Sequence, residues 1–123
     1  FYVTLDHAHR PYQLFRHRLG TPVADDVLVY HEADEAFFVG IGTTRSRAYL
    51  MLSLRAKTSS EVRVLEADRP TGEFRVIEPR RPKVEYSIEH HGEYFYVHHN
   101  RGARNFRLDR TPVARTGRRH WHA

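Results

Sequence analysis

Short strand-like segments recur along this chain at a nearly fixed spacing, and that recurrence limits the available folds more than any other feature. AYLMLSL (48–54) aligns with YFYVHH (94–99), SEVRVLEA (60–67) with RNFRLDRT (104–111), and FFVGIG (37–42) with VEYSIEH (84–90), at offsets of roughly 44 to 47 residues. YQLFRHRLG fits the same frame, because it aligns with SEVRVLEAD about 48 residues later. No segment places apolar residues at i, i+3, i+4 and i+7 over ten or more positions, so no helix is expected. A period in the forties with four strands per unit is the pattern of a β-propeller blade. The expected fold is therefore all-β: a β-propeller fragment of about two and three-quarter four-stranded antiparallel blades. Residues 1–32 make a partial blade of three strands, 37–79 a complete blade, and 84–123 a blade lacking most of its last strand, which starts at His120-Trp121. Propellers close with four to eight blades, so the frame reads as cut at both ends.

The strands expected within this frame include FYVTL (1–5), YQLFRHRL (12–19), DVLVYHE (26–32) and EFRVIEP (73–79). VEYSIEH and EYFYVHH (93–99) are joined at His91-Gly92, a two-residue hairpin turn. That turn sets Ile88 opposite Phe95 and Tyr86 opposite Val97 on a core-like face, with Glu85 near His98 and Glu89 near Tyr94 on the other.

Composition narrows the chemistry. With 123 residues the chain suits one small domain or a piece of a larger one. Seven Tyr, seven Phe and one Trp supply bulk for a core. Cysteine is absent, which removes a thiol nucleophile and a Cys-type zinc site and favours the cytoplasm. FYVTLDHAHRP has no basic segment followed by an apolar stretch and does not read as a signal peptide. No apolar run is long enough for a transmembrane helix, and no membrane partner is expected. The net charge of +5 brings nucleic acid to mind, but the arginines are spread among carboxylates such as Glu61, Glu66, Asp68, Glu73 and Glu78. A mixed solvated surface is the better reading, and nucleic acid is disfavoured.

Four constellations invite function and do not carry it. GIGTTR opens like a dinucleotide loop, yet Arg45 stands where the third glycine belongs and a strand, not a helix, follows. Gly40 and Gly42 are expected instead to permit close backbone approach at a crowded channel. His90-His91 and His98-His99 suggest a metal, but adjacent histidines of a strand point to opposite faces, so no metal site is assigned. Ser59, His17 and Asp26 make a triad on paper without a nucleophile elbow. Tyr86, Tyr94, Phe95 and Tyr96 fit core packing better than base stacking.

RPYQLFRHRLGTP, LVYHEAD, KTSSEVRVLEAD, VEYSIEHHGEYFYVHHN and NFRL, in this order, closely resemble the propeller of the oligopeptidase B branch of the prolyl oligopeptidase family of serine peptidases. The resemblance runs from Phe1 to about Trp121. It implies a seven-bladed propeller capping a C-terminal α/β-hydrolase domain that carries a Ser-Asp-His triad. It also implies a cytoplasmic enzyme without a cofactor, cleaving short peptides after Arg or Lys, with the propeller excluding folded proteins. No G-x-S-x-G occurs in this sequence, so no catalytic residue is carried over and these residues are not expected to catalyse by themselves. The partners implied are the parent's hydrolase domain and a peptide. Arg45 and Arg47, in the turn between the first two strands of the 37–79 blade, are candidates for contact with that domain's carboxylates or with a peptide C-terminus. An open ring is also expected to make the fragment self-associate through unpaired edges. The competing reading is a stand-alone basic β-domain that binds a peptide or nucleic acid.

Overall fold

Ten strands and two short 3-10 turns make up the computed structural model, which describes residues 1–102 and 105–123. The first sheet joins β1 (Tyr2–Leu5), β2 (Pro11–Arg16) and β3 (Val27–His31). The second joins β4 (Phe38–Thr43), β5 (Tyr49–Arg55), β6 (Ser60–Glu66) and β7 (Arg75–Val76). The third joins β8 (Tyr86–His91), β9 (Tyr94–His99) and β10 (Arg107–Pro112), with an isolated bridge from Arg110 to His122 beyond β10. All pairings are antiparallel and follow chain order. Among the described residues there is no α-helix, as expected of a chain whose apolar residues alternate instead of recurring every third or fourth position. Arg104, with which one expected strand begins, lies outside the described residues.

Two cores lie between the three sheets. Leu14, Phe37, Val39, Leu52 and Leu54 fill the space between the first and second. Val62, Val64, Ile77, Tyr86, Ile88, Phe95 and Val97 fill the space between the second and third. The second sheet therefore packs on both faces. This is why β6 is buried on both sides, with Val62 and Val64 in one core and Glu61 and Leu65 turned the other way. β1 at the far edge of the first sheet has no outer partner strand among the described residues.

Three sequence expectations are corrected. First, EFRVIEP yields only Arg75–Val76 as strand. The Tyr86 hydroxyl of the next sheet enters the ladder just past this pair, accepting from the Val62 N–H at 2.8 Å and the Glu78 N–H at 3.1 Å and donating to the Glu78 carbonyl at 2.6 Å. Second, the β8–β9 register is slipped by two residues: His91 pairs with Tyr94, Ile88 with Val97 and Tyr86 with His99. Gly92, at φ +60°, must be the first central residue of the turn, so the turn is Gly92-Glu93 and His91 is already paired. A slip of two keeps the faces, so Tyr86, Ile88, Phe95 and Val97 still point into the core. Third, Gly40 and Gly42 are not crowded by the described residues. A side chain at Gly40 meets only the Ser53 carbonyl at 3.9 Å, and one at Gly42 meets nothing within 4 Å.

Candidate functional site

The β4–β5 turn, Thr44-Arg45-Ser46-Arg47, is held by hydrogen bonds within itself and from the third sheet. Thr44 is buried, and its hydroxyl meets Ser46 Oγ at 2.9 Å and the Tyr49 N–H at 3.3 Å. The Arg47 N–H closes the turn on the Thr44 carbonyl at 2.9 Å, with Arg47 at φ +62°. A left-handed arginine costs about 1 kcal/mol, which the surrounding bonds must offset. The third sheet supplies the rest. Glu89 Oε1 accepts from the Arg45 N–H at 2.8 Å, and Ser46 Oγ meets His90 Nδ1 at 2.7 Å. Both arginine side chains are exposed, and neither forms an ion pair among the described residues.

A different arginine, Arg80, belongs to the seam between the first and second sheets. Its guanidinium binds Glu32 and Glu61, donates to the Tyr30 hydroxyl, and lies 3.7 Å from the centre of the Phe37 ring. Burial alone pushes both carboxyls up. The Arg80 groups, with Tyr30 and the Asp34 N–H on Glu32 and Arg63 on Glu61, outweigh it and hold both below the usual carboxylate range. Arg10 reinforces the same seam, donating to the carbonyls of Asp34 and Phe37 at 3.0 and 2.8 Å while paired to Asp6 at 3.1 Å. At the seam between the second and third sheets, Ser60 Oγ accepts from the Tyr86 N–H at 2.7 Å and donates to the Tyr86 carbonyl at 2.9 Å. The Ser60 and Glu61 of KTSSEVRV thus stitch neighbouring sheets together.

Of the paper triad, His17 and Asp26 do meet, Nδ1 to Oδ1, at 2.6 Å. The Tyr2 hydroxyl and then His17 hold Asp26 below the usual range. Ser59 is not with them. It stands in the β5–β6 turn, at a small cavity of about 140 Å³ with Arg55 and Glu85. The histidine pairs also separate. His99 is buried on Asp109 at 2.8 Å, while His98 is exposed and stacks on Phe106 at 4.9 Å. The slipped register pairs His98 with Ser87 instead of Glu85, and Tyr96 instead of Tyr94 with Glu89. Among the described residues no group of three metal-ligating side chains converges. Tyr86 and Phe95 are core residues, not a stacking platform. Sequence reasoning placed Glu89 and His90 on the β8–β9 hairpin and missed their bonds to the β4–β5 turn. The only available signal was their offset of 44 residues from Arg45 and Ser46, which falls inside the blade period.

Antiparallel sheets stacked face to face in chain order, repeating at the blade period, define a β-propeller segment. The sequence profile of the "Prolyl oligopeptidase, N-terminal beta-propeller domain" matches residues 1–123, and the chain belongs to that family. It is 35% identical over 113 residues to "Protease 2" of Moraxella lacunata, covering 92% of this chain and 16% of the relative. It is 40% identical over 106 residues to "Dipeptidyl aminopeptidase BI" of Pseudoxanthomonas mexicana, covering 85% of this chain and 14% of the relative. Among solved structures, oligopeptidase B from Trypanosoma brucei, closed form with covalently bound antipain, superposes with a TM-score of 0.86 at 26% identity over 94% of this chain and 17% of that one. Oligopeptidase B from Leishmania major superposes with a TM-score of 0.89 at 23% identity, covering 99% of this chain and 18% of that one, a likeness of fold. The chain thus spans about a sixth of the length of these relatives.

Proposed function

We propose that these residues are part of the propeller of a cytoplasmic serine-type oligopeptidase that hydrolyses short peptides after Arg or Lys. Their role there is structural and size-limiting, beside a C-terminal hydrolase domain, with no catalysis of their own. The observation that carries this reading is the continuous likeness of residues 1–123 to one peptidase propeller, including 35% identity to "Protease 2". The 40% identity to "Dipeptidyl aminopeptidase BI" favours a second reading, removal of dipeptides from a free N-terminus. One assay separates the two. Full-length protein is given an N-terminally blocked fluorogenic peptide ending in Arg and an unblocked dipeptide substrate. Cleavage of the blocked peptide, abolished by a serine-directed reagent, supports the oligopeptidase. Turnover of the unblocked substrate alone overturns it in favour of the dipeptidyl peptidase.

Within this reading Arg45 and Arg47 contact the peptide or the hydrolase domain. Both guanidiniums are exposed on a fixed turn without a carboxylate partner among the described residues. Arg45→Ala or Arg47→Ala in the full-length protein is expected to lower kcat/KM about fivefold, the worth of one charge-assisted contact near solvent. The melting temperature should be unchanged. Unchanged kcat/KM in both variants removes these arginines from the site.

A further inference from the structure

We propose that Glu89 and His90 are positioning residues. From the neighbouring sheet they hold the Arg45–Arg47 turn where its guanidinium groups meet the C-terminal carboxylate of a peptide. The inference rests on Arg45 and Arg47 contacting the peptide.

The carboxylate nearest this turn is spent on the backbone. Glu89 Oε1 accepts from the Arg45 N–H at 2.8 Å and from the His90 N–H at 2.9 Å, and forms no ion pair with Arg45. An acid placed here to neutralise Arg45 would take the guanidinium, which offers a planar fork of donors. Glu89 instead fixes where the arginine's Cα sits and leaves the side chain's charge unspent.

His90 adds a second fixed point. Its Nε2 lies 2.8 Å from the Gly92 carbonyl, which can only accept, so Nε2 carries the hydrogen. Nδ1 is then a lone pair, and Ser46 Oγ–H donates to it at 2.7 Å. The imidazole sits 4.8 Å from the Tyr49 ring and 5.5 Å from Phe95, which fixes its plane. One turn is thus gripped at two successive residues, Arg45 by its N–H and Ser46 by its hydroxyl. The residue after them, Arg47, is held at φ +62°. His9 and Lys83 hold nearly the same φ in other exposed turns, so the two cross-sheet bonds, and not this φ, are what pre-organise the Arg45–Arg47 turn. A peptide's C-terminal carboxylate fits an exposed guanidinium by charge, and Arg45 and Arg47 present two on one turn, although Glu66 and Asp68 line the same cavity as Arg47.

The test uses the full-length protein and matched peptides with a free or an amidated C-terminus. Glu89→Ala is expected to raise KM for the free-acid peptide about fivefold, the worth of one lost hydrogen bond, with kcat and the amidated peptide unaffected. Glu89→Gln keeps a carbonyl acceptor and should restore KM. His90→Phe keeps the packing, loses the Ser46 acceptor, and should behave like Glu89→Ala. Adding Glu89→Ala to a variant that already carries Arg45→Ala and Arg47→Ala should cost nothing further. If Arg45→Ala and Arg47→Ala raise this KM but Glu89→Ala does not, the positioning role is wrong and the arginine contact stands. If the arginine variants have no effect, the contact itself is wrong. Equal losses on free and amidated peptides, or a fall in melting temperature that Glu89→Gln does not repair, would make these residues structural and overturn the proposal.

Discussion

Replacing Arg80 with alanine should cost about 3 kcal/mol of stability, the low end of the 3–5 kcal/mol typical when one partner of a buried ion pair is removed. The size follows from what is left behind. The Glu32 and Glu61 side chains are only 6% and 5% exposed, and Glu32 loses its cation outright. Glu61 keeps Arg63 at 2.8 Å, and Glu32 keeps the Tyr30 hydroxyl at 2.8 Å and the Asp34 N–H at 3.0 Å, which limits the damage. Packing of the guanidinium on Phe37 is lost as well. The measurement is the midpoint of the propeller's transition in chemical denaturation of the full-length protein. Arg69→Ala is the control, since its pair with Glu66 is 3.6 Å long and exposed and is worth less than about 0.5 kcal/mol. Equal shifts for Arg80→Ala and Arg69→Ala would show that the seam network adds nothing.

The same network sets an acid dependence. Glu32 and Glu61 are held below the ordinary carboxylate range when folded. The unfolded chain therefore takes up protons first as pH falls. Their contribution is fully present above the unfolded carboxylate range and is lost as pH drops through the lowered folded values. In Arg80→Ala the Arg80 charge and hydrogen bonds are gone, so burial is opposed only by Tyr30 and the Asp34 N–H at Glu32 and by Arg63 at Glu61, and both groups move up. The gap between the two proteins should then narrow as the carboxylates protonate, and be smaller at about pH 4 than at about pH 7. A gap independent of pH would show that Arg80 acts through packing alone.

How much of this was legible in the sequence depends on whether a feature is local. Alternation is local, so the strands and the buried set Tyr86, Ile88, Phe95 and Val97 could be read directly. The blade period is a sum over such segments and was legible for the same reason. Register is not local: the β8–β9 pairing turns on which residue takes the positive φ, and His91-Gly92 and Gly92-Glu93 read equally well as turns until Gly92's conformation is known. The seams were hidden because they join side chains 19 to 48 residues apart that alternation does not relate. Nothing in the sequence says that Glu61 pairs with Arg80 instead of the equally near Arg81, which goes to Glu78. At the β4–β5 turn the two arginines could be singled out as exposed charges. Their clamp could not, since Glu89 and His90 look from sequence like one end of a hairpin.

Tyr86→Phe should cost about 2 kcal/mol although it removes a single oxygen, because that oxygen completes a sheet to which Tyr86 does not belong. Its hydroxyl accepts from the Val62 and Glu78 N–H groups and donates to the Glu78 carbonyl, and the residue is 4% exposed. Phenylalanine fits the same space, so packing on Val62, Ile77 and Trp121 survives and the loss is polar. Two buried amides and one carbonyl are left short of partners, and each unsatisfied buried group costs about 1–3 kcal/mol, which local relaxation and water entry reduce. The damage should be localised. Amide exchange at Val62 and Glu78 should accelerate more than at Leu52 or Leu54, which lie in the other core. Tyr94→Phe is the control, as that ring is only half-buried and its hydroxyl has no hydrogen-bond partner among the described residues. A similar shift in both variants, or uniform exchange across both cores, would mean that β7 is not held by the neighbouring sheet. If instead the loss is confined to the β6–β7 edge, a sheet in this propeller is completed by the one that follows it, and the fourth strand of a blade is stable only once the next blade has docked.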